Sequence, residues 1–176
     1  MPLSNPSERD HIHTRNVTCT GYRRKDGLWD IEGHITDTKT YGLRITVGDD
    51  MVISAVEAVT DHAPFNACDE IAPNYAALVG LRIGPGLKQQ IRERVGGIHG
   101  CTHLTELMGP VATTAFQTIF PIRAREAEER RKQAEKDGTV PNPPKKRRSP
   151  LVNSCHGWRS DGAAVKRIAP DMYTGD

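Results

Sequence analysis

The residues most able to do chemistry in this chain are its cysteines and histidines. Cys101 and His103 are separated by one residue, and Cys155 is followed directly by His156. Cys68, like Cys101, stands where a helical pattern begins. The positive end of a helix dipole stabilises a thiolate, which is the form of cysteine that binds metals and attacks electrophiles. The sequence therefore predicts metal binding or sulfur chemistry.

Thiolate and imidazole ligands favour zinc or an iron–sulfur cluster over harder metals. We therefore expect a soluble accessory protein that binds a zinc ion or an iron–sulfur cluster through clustered cysteine and histidine side chains. The predicted ligands are Cys68, Cys101, Cys155, His103 and His156, with Asp37 as a reserve oxygen ligand. The sequence has no close Cys-x-x-Cys pair, which is the spacing typical of many zinc sites.

Two further functions fit the same chain. In one, the protein is an enzyme of unknown substrate, in which Cys101 is the nucleophile and His103, His34 or His156 is the base. In the other, it is an interaction module that docks a partner protein through the basic segment 123–148. The cysteines can also be small buried apolar side chains without a chemical role. The sequence leaves these alternatives open.

Composition narrows the range of partners and locations. The 176 residues carry a formal net charge of +2 and are 36% hydrophobic. A nearly balanced charge disfavours nucleic-acid binding, and the basic run at 145–148 lacks an aromatic stacking platform. No apolar run reaches the roughly 18 residues of a membrane span. No apolar signal region follows the N-terminus, so we expect a cytoplasmic protein with reduced cysteines.

Short alternating segments between residues 15 and 61 predict the sheet that must position these side chains. Turn-forming residues separate four such segments, as in an antiparallel meander. The segment that begins at Leu28 has an apolar face and a polar face. The face predicted to point to the core is Trp29, Ile31, Gly33 and Ile35. The opposite face holds Asp30, Glu32 and His34, and is a general-base site, a site for a hard metal ion or an exposed strand face.

Helical spacing of apolar residues follows the sheet and predicts three helices. The first carries Ile71, Tyr75, Leu78 and Val79, and the second carries Leu87, Ile91 and Val95. The third begins at Thr102 or His103 and contains Pro110, which is expected to kink it or to remove one backbone bond. The predicted fold class is therefore α+β, an antiparallel meander of three or four strands packed against three helices.

The composition changes along the chain and predicts four segments. Residues 1–14 form a flexible arm and residues 15–121 form the α+β core domain. Residues 122–150 form a charged helix followed by a proline-rich basic linker. Residues 151–176 form a C-terminal tail whose aromatic residues are expected to fold back on the core.

Several strings of the sequence resemble those of a bacterial family classed as a domain of unknown function. They are GLWDIEGHITDTK, ALVGLRIGPG, GGIHGCTHLTELMGPVATTAFQTI and SCHGWRSDG. The resemblance covers roughly residues 20–120 and the segment around Cys155. It indicates membership of the family and implies little about function.

A more distant resemblance is to the NifU-like iron–sulfur scaffold proteins. The string LRITVGDDMVISAVEAVTDHAPFNAC resembles their hairpin and cysteine loop, and HGCTHLTELMGPVATTAFQTI resembles their last cysteine and closing helix. This resemblance implies that Cys68 and Cys101 match two of the three cysteine ligands of the scaffold. The third ligand position falls in this chain at Asp37 and Thr38, so Asp37 or Cys155 would have to replace it.

Overall fold

The computed structural model describes residues 10–61, 70–139, 149 and 151–176. The chain divides into two compact units, one up to Glu126 and one from Ala127 onward. Cys68 and its predicted helix start lie outside the described residues.

Four strands form an antiparallel sheet in the first unit. They are β1 (Asn16–Arg23), β2 (Trp29–Thr36), β3 (Thr40–Val47) and β4 (Ile53–Asp61). Their order in the sheet is the order in the sequence, so each strand pairs with its neighbour in the chain. The predicted meander is confirmed, with four strands and short turns, and with the helices described below it makes the predicted α+β fold.

Strand β2 has the two faces that its alternating sequence predicts. Trp29, Ile31 and Ile35 are at most 1% exposed, and Gly33, which lies between Ile31 and Ile35, is also buried. Gly33 pairs with Cys19 on β1 and with Leu43 on β3, so the core face continues across the sheet. The predicted core face is therefore confirmed.

Four described helical segments begin in the first unit after the sheet. Two are 3-10 helices, at Ala72–Leu78 and Gly97–His99; helix α1 spans Leu87–Val95, and helix α2 spans Thr102–Lys136. The predicted α-helical stripe of the first segment is wrong in one position, because Val79 is 42% exposed. The tighter 3-10 winding places residues three apart on one face, so Tyr75 and Leu78 are the side chains that it buries.

Helix α2 runs for 35 residues and includes both Pro110 and Pro121. Each proline lacks an N–H and costs the helix a backbone hydrogen bond, but the helix continues past both. Gly109 precedes Pro110, and its missing Cβ removes part of the clash that disfavours helical backbone before proline. The charged helix predicted to follow Pro121 is therefore a continuation of the same helix, as far as Lys136.

Glycines in the sheet leave space for side chains of helix α2. A Cβ placed on Gly33 would lie 2.5 Å from Cγ2 of Val111, and one on Gly21 would lie 2.3 Å from Oγ1 of Thr118. The side chains of Val111 and Thr118 therefore occupy the space that a side chain on Gly33 or Gly21 would need. The buried side chains of helix α2 complete the core: Leu104, Leu107, Met108, Val111, Ala115 and Ile119.

The second unit contains short helical segments after the end of helix α2. They are 3-10 turns at His156–Trp158 and Pro170–Met172, and helix α3 at Ala163–Ile168. Lys166 Nζ lies 5.0 Å from the centre of the Tyr173 ring, a distance typical of a cation–π contact. The predicted return of residues 151–176 to the core stays a prediction. In the part of the chain described, no helix combines the length and apolarity needed to cross a membrane.

Candidate functional site

Cys101 is the N-cap residue of helix α2. Its carbonyl oxygen accepts the first helical hydrogen bond, from Thr105 N at 2.9 Å. The chain reaches this point by a sharp turn after α1, and Gly100 is required in it because a Cβ there would lie 2.0 Å from the Val95 oxygen. The turn therefore fixes Cys101 between the end of one helix and the start of the next.

The hydroxyl group of Tyr75 holds the backbone of Cys101 from the other side. It accepts a hydrogen bond from Cys101 N at 3.1 Å and lies 2.9 Å from Cys101 O and 2.7 Å from Thr105 Oγ1. Thr105 Oγ1 can in turn donate to Val95 O at 3.2 Å. Burial raises the pKa of Tyr75, so the phenol stays neutral and available as a donor. The N-cap is thus fixed by a hydrogen-bonded network rather than by a capping side chain.

The side chain of His103 lies beside the Cys101 thiol. Cys101 Sγ and His103 Nδ1 are 3.9 Å apart. The imidazole stacks on the ring of Tyr41, with centroids 4.1 Å apart and planes 7° from parallel. Tyr41 is a buried residue of β3, so the sheet sets the orientation of the imidazole. Within the first unit, His103 is a predicted base that lies next to Cys101.

Asp37, in the turn between β2 and β3, belongs to the same region. Its carboxylate accepts a hydrogen bond from Lys39 N at 3.0 Å, and this bond is the main reason that the pKa of Asp37 is lowered. The charges of His103 and Arg15 lower it further. Arg15 lies 3.7 Å from the Asp37 carboxylate and bonds Glu106 at 2.8 Å. Asp37 is therefore an ionised group within electrostatic range of the imidazole.

A cavity of about 810 Å³ lies between α1 and the first part of α2. This volume is within the range of small-molecule sites in proteins. Its apolar wall is formed by Leu87, Ile91, Val95, Met108 and Ala112. Cys101 and Thr105 line it as well, together with the cations Lys88 and Arg92. The candidate thiol is therefore next to a space that could hold a ligand.

The structure brings together some of the predicted ligands. Cys101, His103 and Asp37 lie in one region of the first unit, whereas Cys155 and His156 lie in the second unit, where Cys155 is exposed. Cys68 cannot be placed because it falls outside the described residues. Within the described ranges, no group of three or more histidine, cysteine and acidic side chains is arranged to hold a metal ion.

The polar face of β2 is engaged in cross-strand contacts. Asp30 accepts a hydrogen bond from Thr46 Oγ1 at 2.7 Å, and Glu32 lies 3.6 Å from Arg44. Arg44 also pairs with Glu57 on β4. These contacts favour the interpretation of an exposed strand face with cross-strand ion pairs over that of a general-base site.

Tyr75 and Cys19 are two residues whose roles sequence reasoning missed. The sequence places Tyr75 among core residues, and the one signal for its role is that a buried tyrosine hydroxyl needs a partner. Cys19 lies on β1, with its Sγ 3.5 Å from where a Cβ on Gly33 would stand. Cys19 packs against the hydrophobic core, and burial raises the pKa of its thiol.

Comparison of the sequence with known families finds one family model that includes the region of Cys101. A family model described as a protein of unknown function, DUF2889, matches residues 13–117. The chain belongs to the DUF2889 family. The part matched to DUF2889 contains all four strands and the residues around Cys101, and it ends within helix α2. The second unit, with Cys155 and His156, follows the DUF2889 match.

The predicted membership of a domain-of-unknown-function family is thus confirmed. No curated protein and no solved structure matches the chain. The distant resemblance of this DUF2889 protein to NifU-like scaffolds therefore stays a prediction.

Proposed function

We propose that this protein is an enzyme that uses Cys101 as a nucleophile and His103 as its base. The proposal is carried by the 3.9 Å separation of Cys101 Sγ and His103 Nδ1 at the start of a long helix. The N-terminus of that helix favours negative charge on a nearby sulfur atom. Asp37 stabilises the imidazolium that forms when the imidazole accepts the thiol proton.

The arrangement suits acyl transfer. The thiol proton passes to His103 Nδ1, and the sulfur attacks a carbonyl carbon to form a new S–C bond. The leaving group departs with the proton from His103, and water then releases the acyl group as a carboxylic acid. Stacking on Tyr41 and the hydrogen bonds of Tyr75 hold the imidazole and the Cys101 backbone in place for both steps.

Alkylation kinetics test this proposal. We would measure the rate of iodoacetamide labelling in a Cys68→Ser/Cys155→Ser background, which leaves Cys19 and Cys101. Cys101 should be labelled faster than a free thiol at pH 7, and His103→Gln should remove that advantage. His34→Gln is the matched control, because His34 is an exposed histidine on the sheet. Labelling no faster than that of a free thiol would refute the proposal.

Metal binding is the second candidate, and the same distance favours it. Zinc bound tetrahedrally to one sulfur and one nitrogen holds the two donors about 3.6 Å apart. The separation of Cys101 Sγ and His103 Nδ1 is close to that value. Cys101 and His103 would supply two ligands of a zinc ion or of an iron–sulfur cluster. Cys68, Asp37 and the Cys155–His156 pair are the proposed sources of the others.

Elemental analysis and the visible spectrum of anaerobically purified protein separate the two candidates. Iron with charge-transfer bands supports a cluster, and zinc in a colourless protein supports a zinc site. The triple variant Cys68→Ser/Cys101→Ser/Cys155→Ser should then lose the metal. Protein that neither contains metal nor binds it more tightly than this variant would rule the metal candidate out.

The location and partners of the protein are also proposals. The described cysteines Cys19, Cys101 and Cys155 are free thiols, which fits a reducing cytoplasm. The predicted docking segment 123–148 is only partly described, because residues 140–148 lie outside the described part. A role in binding a partner protein therefore stays a prediction.

A further inference from the structure

The walls of the cavity between α1 and α2 carry two kinds of surface. Buried apolar side chains from both helices form one, including Leu87, Ile91 and Met108. The cations Lys88 and Arg92 form the other, and their spacing of four residues places them on one face of α1. A ligand that matched both surfaces would have an apolar body and a negatively charged group.

The positive charges of Lys88 and Arg92 are not neutralised by other side chains in the described part of the chain. Among the described residues, neither Lys88 nor Arg92 has a hydrogen-bond or ion-pair partner. Glu106, the carboxylate that lines the cavity in the described part of the chain, is paired with Arg15 at 2.8 Å. The cavity therefore presents two available positive charges beside an apolar wall, which is complementary to an amphipathic anion.

The positions along the helix set the length of such a ligand. The chain turns back between Val95 and Cys101, so the thiol lies at the end of the cavity where α1 ends. Lys88 lies seven residues before Val95, which is about 10 Å along the helix axis, and Arg92 lies about 4.5 Å before it. An anionic group at these cations therefore leaves room for a medium-length chain that extends toward Cys101.

We propose that this cavity binds a carboxylate with a medium-length apolar chain, with its anionic end at Lys88 and Arg92. This inference rests on the proposed function, because the cavity would be the substrate site of the Cys101 nucleophile. The acyl substrate would then carry a free carboxylate at the end remote from the carbonyl carbon that the sulfur attacks.

Calorimetric titration with octanoate tests the binding site independently of catalysis. We expect octanoate to bind the full-length protein and its Cys101→Ser variant equally well. Lys88→Gln/Arg92→Gln should weaken binding about tenfold or more, because it removes both charges that face the carboxylate. Lys25→Gln/Arg130→Gln removes two exposed charges elsewhere and should leave binding unchanged.

Two further measurements separate charge from shape. Octanol, which has the apolar chain without the carboxylate, should bind the wild type and Lys88→Gln/Arg92→Gln equally weakly. Ala112→Leu adds apolar bulk to the cavity wall and should reduce octanoate binding without a change of charge. Circular dichroism would check that each variant keeps the wild-type fold.

The outcomes distinguish this inference from the proposed function. The assignment of the cavity would be overturned if the wild type did not bind octanoate. It would also be overturned if Lys88→Gln/Arg92→Gln and Lys25→Gln/Arg130→Gln lost the same amount of octanoate affinity. Octanoate binding with slow alkylation of Cys101 would keep the binding site and refute the nucleophile. Fast alkylation without octanoate binding would keep the nucleophile and refute the carboxylate site.

Discussion

The replacement of Tyr75 by phenylalanine isolates the contribution of one hydroxyl group to the thiol site. In the wild type this hydroxyl accepts the hydrogen bond of Cys101 N at 3.1 Å. Without it, Cys101 O keeps its bond from Thr105 N, and Thr105 Oγ1 keeps its contact with Val95 O. The net loss is therefore one backbone donor left without a partner.

The size of the effect follows from that count. An unsatisfied buried donor costs about 1–3 kcal/mol of unfolding free energy. Cys101 is only half-buried, so we expect a loss in the lower part of that range, about 1–2 kcal/mol. For a protein of this size, this loss lowers Tm by about 2–8 °C.

Urea unfolding and iodoacetamide labelling measure the two consequences. Tyr75→Phe should be less stable than the wild type, and Cys101 should be labelled more slowly because its backbone is held less firmly beside His103. Tyr22→Phe is the matched control, since Tyr22 is 49% exposed and should change stability by less than about 0.5 kcal/mol.

Equal stability of Tyr75→Phe and Tyr22→Phe would refute this reasoning and leave Tyr75 as a space-filling residue. Lower stability with unchanged labelling of Cys101 would show that the hydroxyl holds the fold but does not position the thiol.

Three other predictions concern the contact between Gly33 and helix α2, the stability of the protein at alkaline pH and the reactivity of Cys19. Gly33→Ala should cost about 1–3 kcal/mol of unfolding free energy, because its Cβ would overlap Val111. Gly157→Ala, where a Cβ meets nothing within 4 Å, is its control in the same denaturation assay. Because the pKa of Tyr75 is raised in the folded state, its contribution to stability is complete below the unfolded pKa of about 10 and declines above it. Above that pH, the free energy of unfolding should therefore fall less steeply with rising pH in Tyr75→Phe than in the wild type. Cys19 should be alkylated more slowly than Cys101 at pH 8, as mass spectrometry of partly labelled protein would show, because burial raises the pKa of Cys19. Equal rates at the two thiols would contradict that reason.

Local pattern was sufficient to predict most of the fold. Alternation in β2 and turn residues between the strands predicted the meander, and i, i+4 spacing predicted helix α1. The first helical segment differed because a stripe of four apolar residues does not distinguish 3-10 from α-helical winding. The sequence predicted a charged helix or helical extension after Pro121, but a proline signals a break, so it did not decide whether that helix is continuous with α2.

The sequence was sufficient to predict the chemical groups of the site but not the residues that hold them in position. Cys101, His103 and Asp37 were recognisable from residue type and from the elements around them. The stacking of Tyr41 on the imidazole and the bonds of Tyr75 to Cys101 join segments far apart in the sequence. Propensity and periodicity describe neighbours along the chain, so they carry no information on such contacts.

The order of the strands has a consequence for how the protein folds. Each strand pairs with the next in sequence, so the sheet closes only short loops and has low contact order. The contacts of the thiol site span longer distances, 26 residues between Tyr75 and Cys101 and 91 between Arg15 and Glu106. We therefore expect the sheet to form early and the environment of the thiol to form late. The reactivity of Cys101 would then report on completion of folding, at a stage that the strand content alone does not reveal.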